Sequence, residues 1–251
     1  MLFRSTDRTG AILRVHTSNY RISGFSSMPG IEELAPLAHE KGLLCIDDIG
    51  SGQLVDMAPL GLPNDYPLRD SIAAGADIVC FSGDKLMGGV QSGIIAGRET
   101  AIGKIRNHPL ARAFRCGKMT VLGLEAALKL YYNTDRARRE VPTLALLGKP
   151  ASELKRTADR IRRGIKPPCT ARVAAGKTFV GGGSLPDTEL DSWTVRLICE
   201  GVSAEDLARA LRTGRPSVHS RVEENEVVLD VRTLLSGEDR ELIAAVNSVK
   251  A

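Results

Sequence analysis

Apolar residues in the first half of the chain fall in short β-rich runs, separated by stretches in which they recur at helical spacing. The runs predict strands over 12–16, 43–47, 78–82 and 92–96. Between the first two, Ile31, Leu34, Leu37 and Ala38 mark one face of a helix that Gly42 ends, and a shorter helix over 68–74 closes at Gly75. Strand and helix in alternation predict a parallel sheet covered by helices.

Helical spacing then takes over, at 100–106, at 120–132 with Leu122, Ala126, Leu128 and Leu130, and at 152–165. After Pro167-Pro168 the texture shortens to strands at 170–174, 193–199, 218–222 and 226–230, interleaved with helices at 203–211 and 237–249. This predicts a large α/β domain over residues 1–150 and a small α+β domain over 151–251.

Composition narrows the class. Of 251 residues, 43% are hydrophobic and 25% charged, with 25 Gly and 12 Pro, which excludes fibrous and fully disordered proteins. No apolar run reaches the roughly 20 residues of a membrane span, and residues 1–8 lack a signal-peptide core, so no membrane partner is expected and the cytoplasm is the expected compartment. Lys plus Arg number 34 against 30 Asp plus Glu, a net charge of +4 that permits an anionic partner without requiring one. Cys45, Cys80, Cys116, Cys169 and Cys199 have no short spacing, which argues against a disulfide framework and against a metal site, so they are read as reduced thiols.

Chemistry-bearing residues gather at three strand ends, where open α/β sheets place their ligands. Phe81-Ser82-Gly83-Asp84-Lys85-Leu86 follows one strand. A partly buried lysine there has a lowered pKa and a free amine suited to Schiff-base chemistry, with Ser82 as a hydroxyl. The same residues also make an ordinary Ser-Gly-Asp turn with a solvated lysine. At the second strand end, Asp47-Asp48-Ile49-Gly50-Ser51-Gly52 offers a carboxylate that can keep a pyridinium nitrogen protonated, or that can cap the turn. Asp48, nearest the turn, is the better candidate. The third end, Val15-His16-Thr17-Ser18-Asn19, adds an imidazole and an amide, the latter able to donate to a phenolate oxygen. A histidine at such a place is also often structural. Jointly the three ends favour a pyridoxal phosphate site. Downstream, residues 98–118 hold six basic side chains against Glu99 alone, and Arg112 and Arg115, if helical, share a face that can fork a phosphate-like anion or simply be solvated. No Gly-rich phosphate loop precedes the first strand, so the front of such a domain is expected to lie outside this chain.

Val15-His16-Thr17-Ser18-Asn19-Tyr20-Arg21-Ile22, Asp48-Ile49-Gly50-Ser51-Gly52, Ser82-Gly83-Asp84-Lys85-Leu86, His108-Pro109-Leu110 with Arg112 and Arg115, Gly181-Gly182-Gly183-Ser184-Leu185-Pro186 and Leu229-Asp230-Val231-Arg232-Thr233 stand in one order along the chain. In that order they resemble the motifs of bacterial L-seryl-tRNA(Sec) selenium transferases, the selenocysteine synthases. The resemblance implies an aspartate aminotransferase-like (fold type I) α/β large domain, incomplete at its amino end, and a small α+β carboxyl-terminal domain. It implies that Lys85 holds pyridoxal 5'-phosphate, that Asp48 faces the pyridine nitrogen, and that Asp84 is an acid beside the lysine; Ser82 and Asn19, from their strand ends, are the further cofactor candidates. Arg112 and Arg115 would take selenophosphate. The implied reaction is a β-replacement on seryl-tRNA(Sec), with Asp84 or His16 as proton donor to the departing hydroxyl, in a ring of homodimers. Val90 and Ser92 stand where the family usually has Pro and Ala. Two other readings remain at this stage: a pyridoxal-dependent small amino-acid lyase or ammonia-lyase, and an inactive structural partner domain.

Overall fold

The computed structural model describes residues 5–249 apart from 18, 19, 21, 23, 26, 65, 66 and 182, and excludes the side chains of 186 and 187. The chain divides into two compact units, Met1–Ala145 with Val180–Thr188, and Leu146–Phe179 with Glu189–Ala251. Sequence punctuation puts the seam at Pro150, whereas the division falls before Leu146, and residues 180–188 join the first unit.

In the first unit, β1 (Ala11–Val15), α1 (Ile31–Glu40), β2 (Leu44–Gly50), α2 (Leu68–Ala73), β3 (Ile78–Ser82) and β4 (Gly93–Gly97) build a sheet of order β1-β2-β3-β4. The first three strands are parallel, as the alternation with helices predicts. β4 departs from that expectation by running antiparallel to β3. The reason is chain length: the connection from Ser82 to Gly93 is too short for a crossover, which needs a dozen residues or more, and suffices only for a reversal.

α1 forms because Ile31, Leu34, Ala35 and Ala38 line one face, and because Glu33 accepts the Gly30 N–H at 3.2 Å while Glu32 and Glu33 sit at the positive end of the helix. That face buries Cys45 and Ile49 of β2 and Val79 and Phe81 of β3. Asp77, entering β3, ties the layer together by accepting the Cys45 N–H at 2.8 Å, lying 2.9 Å from His39 Nε2, and pairing with Arg98 at 2.9 Å. Burial pushes the Asp77 carboxyl up, but those three partners outweigh it and its pKa is lowered. The opposite face of the sheet is open, with Leu13, Val15, Leu44 and Ile95 between 39% and 59% exposed.

After β4 come α3 (Glu99–Asn107), α4 (Lys118–Leu130), α5 (Thr134–Glu140) and α6 (Pro142–Leu147). The last two are too short to show a helical period in the sequence.

The second unit holds α7 (Ala151–Gly164), most of β5 (Cys169–Gly181) and of β6 (Leu185–Cys199), α8 (Ala204–Thr213), β7 (Arg221–Glu223), β8 (Glu226–Asp230) and α9 (Glu238–Asn247), with sheet order β5-β6-β8-β7. Leu154 and Ile161 of α7, Leu207 and Leu211 of α8, and Leu242 and Val246 of α9 close over Val195, Leu197, Val227 and Leu229. β5 and β6 are much longer than their apolar runs suggest, because a strand can extend beyond the core on backbone hydrogen bonds alone. Glu224 and Asn225, with φ of 50° and 64°, make the two-residue turn between β7 and β8.

Cys169 and Cys199 correct the all-reduced expectation: they face each other across neighbouring strands, Cα atoms 3.9 Å apart, as a disulfide. Their separation of 30 residues in sequence hides the pairing. Cys45, Cys80 and Cys116 are free thiols. Among the described residues, no helix is long and apolar enough to cross a membrane and no group of His, Cys, Asp and Glu is placed to hold a metal ion.

Candidate functional site

The carboxyl ends of β1, β2 and β3 lie side by side, with Val15, Asp48 and Cys80 in register. The His16 N–H donates to the Asp48 carbonyl at 2.8 Å, so His16 enters the edge beside the acid. Asp47 and Asp48 point to opposite faces, as consecutive strand residues must. Asp47 is fully buried on the α1 side, held by Arg14 Nε and Nη2 at 2.8 and 2.7 Å and by the Ser71 hydroxyl at 2.6 Å. Its oxygens are consumed by structure. Asp48 is half-buried on the open face, where its Oδ1 accepts the Gly50 N–H at 3.2 Å. β2 runs on to Gly50, past its predicted end at Asp47, with an irregularity in its pairing to β3 between Asp48 and Gly50.

Beyond Asp48 the chain turns sharply. Gly52 has φ +71°, and a Cβ there would stand 2.5 Å from the Ser82 carbonyl, so only glycine lets this turn lie against the end of β3. Ser82, the last residue of β3, is half-buried and pairs with Gly93. Asp84 is exposed and Lys85 half-buried in the loop that follows.

That loop is fastened at several points. The Gly83 N–H donates to the Ser92 carbonyl at 3.0 Å, the Gly89 N–H to the Gly83 carbonyl at 2.7 Å, the Gly88 N–H to the Lys85 carbonyl at 2.9 Å, and the Leu86 N–H to the Ser51 carbonyl at 3.0 Å. Leu86 and Met87 are buried directly after the lysine. A Cβ at Gly83 would stand 2.6 Å from Ser92 Oγ and 2.8 Å from the Val90 carbonyl, which is the packing reason for glycine there. Ser92 therefore lies against the backbone of this loop, its hydroxyl donating to the Val90 carbonyl at 3.0 Å.

Tyr131 donates its hydroxyl to the Met87 carbonyl at 2.7 Å. Burial pushes its phenol up to about 12. Cys80, in register with Asp48, also has a raised pKa, from burial and then from the negative charges of Asp48 and Asp47.

Arg112 and Arg115 do not share a helical face. A 3-10 turn ends at Arg112, capped at its start by His108, whose Nδ1 accepts the Leu110 N–H at 3.2 Å, and Arg115 lies in the irregular stretch before α4. Both are exposed, and none of the ion pairs among the described residues uses either of them. Asn19 lies outside the described residues.

The arrangement brings Asp48, Ser82 and the Lys85 loop to one edge of the sheet, with His16 beside the acid. An acid on the open face and an amine-bearing loop at the same edge are the donor set that a pyridine ring bearing an aldehyde requires, so the residues present fit that group.

The fold pairs an α/β unit, with three parallel strands and one antiparallel, with a second α+β unit. D-glucosaminate-6-phosphate ammonia-lyase has a similar fold: its structure superposes with a TM-score of 0.60 at 24% identity, over 97% of this chain and 58% of that one. The chain belongs to the L-seryl-tRNA selenium transferase family, whose model matches residues 4–235. It is 42% identical to the L-seryl-tRNA(Sec) selenium transferase of Carboxydothermus hydrogenoformans over 92% of its own length and 50% of that protein's. The corresponding enzyme of Hyphomonas neptunium is 41% identical over 96% of this chain and 52% of its own. The chain thus spans about half the length of the curated relatives it matches.

Proposed function

We propose that this chain carries the cofactor and selenium-donor residues of a pyridoxal 5'-phosphate-dependent L-seryl-tRNA(Sec) selenium transferase. The overall reaction is a β-replacement: the seryl Cβ–O bond breaks and its oxygen leaves as water, a Cβ–Se bond forms, and the P–Se bond of selenophosphate is cleaved by water to release phosphate. Bound pyridoxal phosphate supplies an electron sink that makes the seryl Cα proton acidic.

The observation that carries this reading is the division of labour between adjacent acids. Asp47 is spent on Arg14 and Ser71, which leaves Asp48 on the open face to hold a proton on a ring nitrogen. Lys85 would hold the cofactor through its amine, and that amine is the base placed to take the Cα proton. Ser82 and Asn19 orient the ring. Asp84 or His16 protonates the departing hydroxyl, since hydroxide is a poor leaving group. Arg112 and Arg115, exposed and with neighbouring basic side chains, bind selenophosphate. The protein works in the cytoplasm as a homo-oligomer, a ring of dimers, with residues 1–150 serving the cofactor and 151–251 forming the small domain.

Borohydride reduction of the protein mixed with pyridoxal phosphate tests this directly. Peptide mapping should find the pyridoxyl adduct on Lys85, and an unmodified Lys85 refutes the assignment. Seryl-tRNA(Sec) should bind with an affinity that falls steeply with salt, whereas a small-molecule lyase would show no such binding.

A further inference from the structure

We propose that Tyr131 is a positioning residue for Lys85: its hydroxyl holds the backbone just after the lysine and thereby sets where the amine is presented. The proposal rests on Lys85 being the cofactor lysine.

The lysine's loop is clasped from two sides. On one side the Ser51 carbonyl, in the turn that follows Asp48, accepts the Leu86 N–H. On the other stands α4, brought close by small residues. A Cβ on Gly123 would lie 2.7 Å from Val90 Cγ1, Leu124 Cδ2 is 3.1 Å from where a Gly83 Cβ would be, and Ala127 packs at 3.4 Å from the same point on Gly89. Tyr131 closes this contact at the carboxyl end of α4, donating to the Met87 carbonyl at 2.7 Å and lying 3.5 Å from the Leu86 carbonyl.

A four-carbon lysine stem is flexible, so the backbone that carries it sets the range over which its amine can be presented. With Leu86 and Met87 buried, their carbonyls cannot turn to water, and a phenol held at the end of a packed helix is a rigid donor to them. The same helix begins just after Arg115, so one element bounds both the lysine loop and the basic segment proposed for the selenium donor.

Tyr131→Phe keeps the ring and removes only the donor. Hydrogen exchange should show the Leu86, Gly88 and Gly89 amides opening about tenfold faster, the size expected for one lost buried hydrogen bond, with β1 and β2 amides unchanged. Competitive labelling with acetic anhydride across a pH series should show an altered titration of Lys85, and borohydride trapping of pyridoxal phosphate there should slow. Unchanged loop amides and an unchanged Lys85 titration overturn the proposal. So does uniform acceleration throughout the unit, which would make Tyr131 general packing. If wild-type protein is never trapped at Lys85, the cofactor reading fails, while the exchange and labelling arms still decide whether Tyr131 positions the lysine. Should Tyr131→Phe fail to fold, 3-fluorotyrosine at position 131, a stronger donor of nearly the same shape, should slow exchange of the same amides, and no change again overturns the idea.

Discussion

Asp47 and Asp48 are neighbours in β2 and occupy opposite faces of the sheet, one sealed against Arg14 and Ser71, the other on the open face beside His16. Two residues of identical chemistry are thereby given different tasks by strand alternation alone.

Their substitutions should separate cleanly. Asp47→Asn removes the buried carboxylate that Arg14 and the Ser71 hydroxyl bond, and should cost about 3–5 kcal/mol in urea denaturation. Asp48→Asn, on a half-buried position with one local hydrogen bond, should stay within about 1 kcal/mol of wild type and instead weaken pyridoxal phosphate capture.

Gly88 lies in the lysine loop with φ +67°, and a Cβ there would overlap Val141 Cγ1. Gly88→Ala should therefore destabilise by about 2–4 kcal/mol, combining backbone strain with overpacking. Gly93→Ala meets open space and should change stability by about 0.5 kcal/mol or less, which thermal melts of the two variants side by side will check.

Arg232 is buried in the second unit and donates to the carbonyls of Leu146 at 3.2 Å, Leu147 at 2.9 Å, Lys149 at 3.2 Å and Asp191 at 2.5 Å. Its fork gathers the end of α6 and the start of β6's core segment. Arg232→Lys keeps the charge but cannot reach the same set, and should cost about 2–4 kcal/mol by chemical denaturation.

Glu226 accepts two bonds from Arg172, Nε at 2.9 Å and Nη2 at 2.5 Å, and one from Arg196 at 3.2 Å. The Arg172 hydrogen bonds lower its pKa, burial opposes them, and Arg196 adds to the lowering. Because the folded value lies below the unfolded one, the stabilisation is present above the ordinary carboxylate range and is lost as pH falls through the folded value. The stability gap between wild type and Glu226→Gln should be widest near neutrality and close in acid. A gap that persists in acid would show that the ionised carboxylate is not its source.

The helices and parallel strands of the first unit were legible because their apolar residues repeat with the periods of the structures they form. Ile31, Leu34 and Ala38 announce a helix face, and Val79 with Phe81 the buried side of a strand. The reversal into β4 was not, since periodicity carries no direction. α5 and α6 were missed because one or two turns are too few to reveal a period. The cluster of site candidates was legible as strand ends. The fastening of the lysine loop was not: Tyr131 stands 44 residues from Met87, and nothing local in either predicts that they meet.

By itself the sequence determined the strand–helix alternation, the family, and the residue types able to hold an aldehyde cofactor, because these depend on local spacing and on motifs. Only the tertiary structure decided which aspartate is spent and which is available, that Arg112 and Arg115 lie on different local structures, and that Cys169 meets Cys199. Those outcomes depend on register and on contacts between distant segments, where one position along a strand exchanges the buried face for the open one.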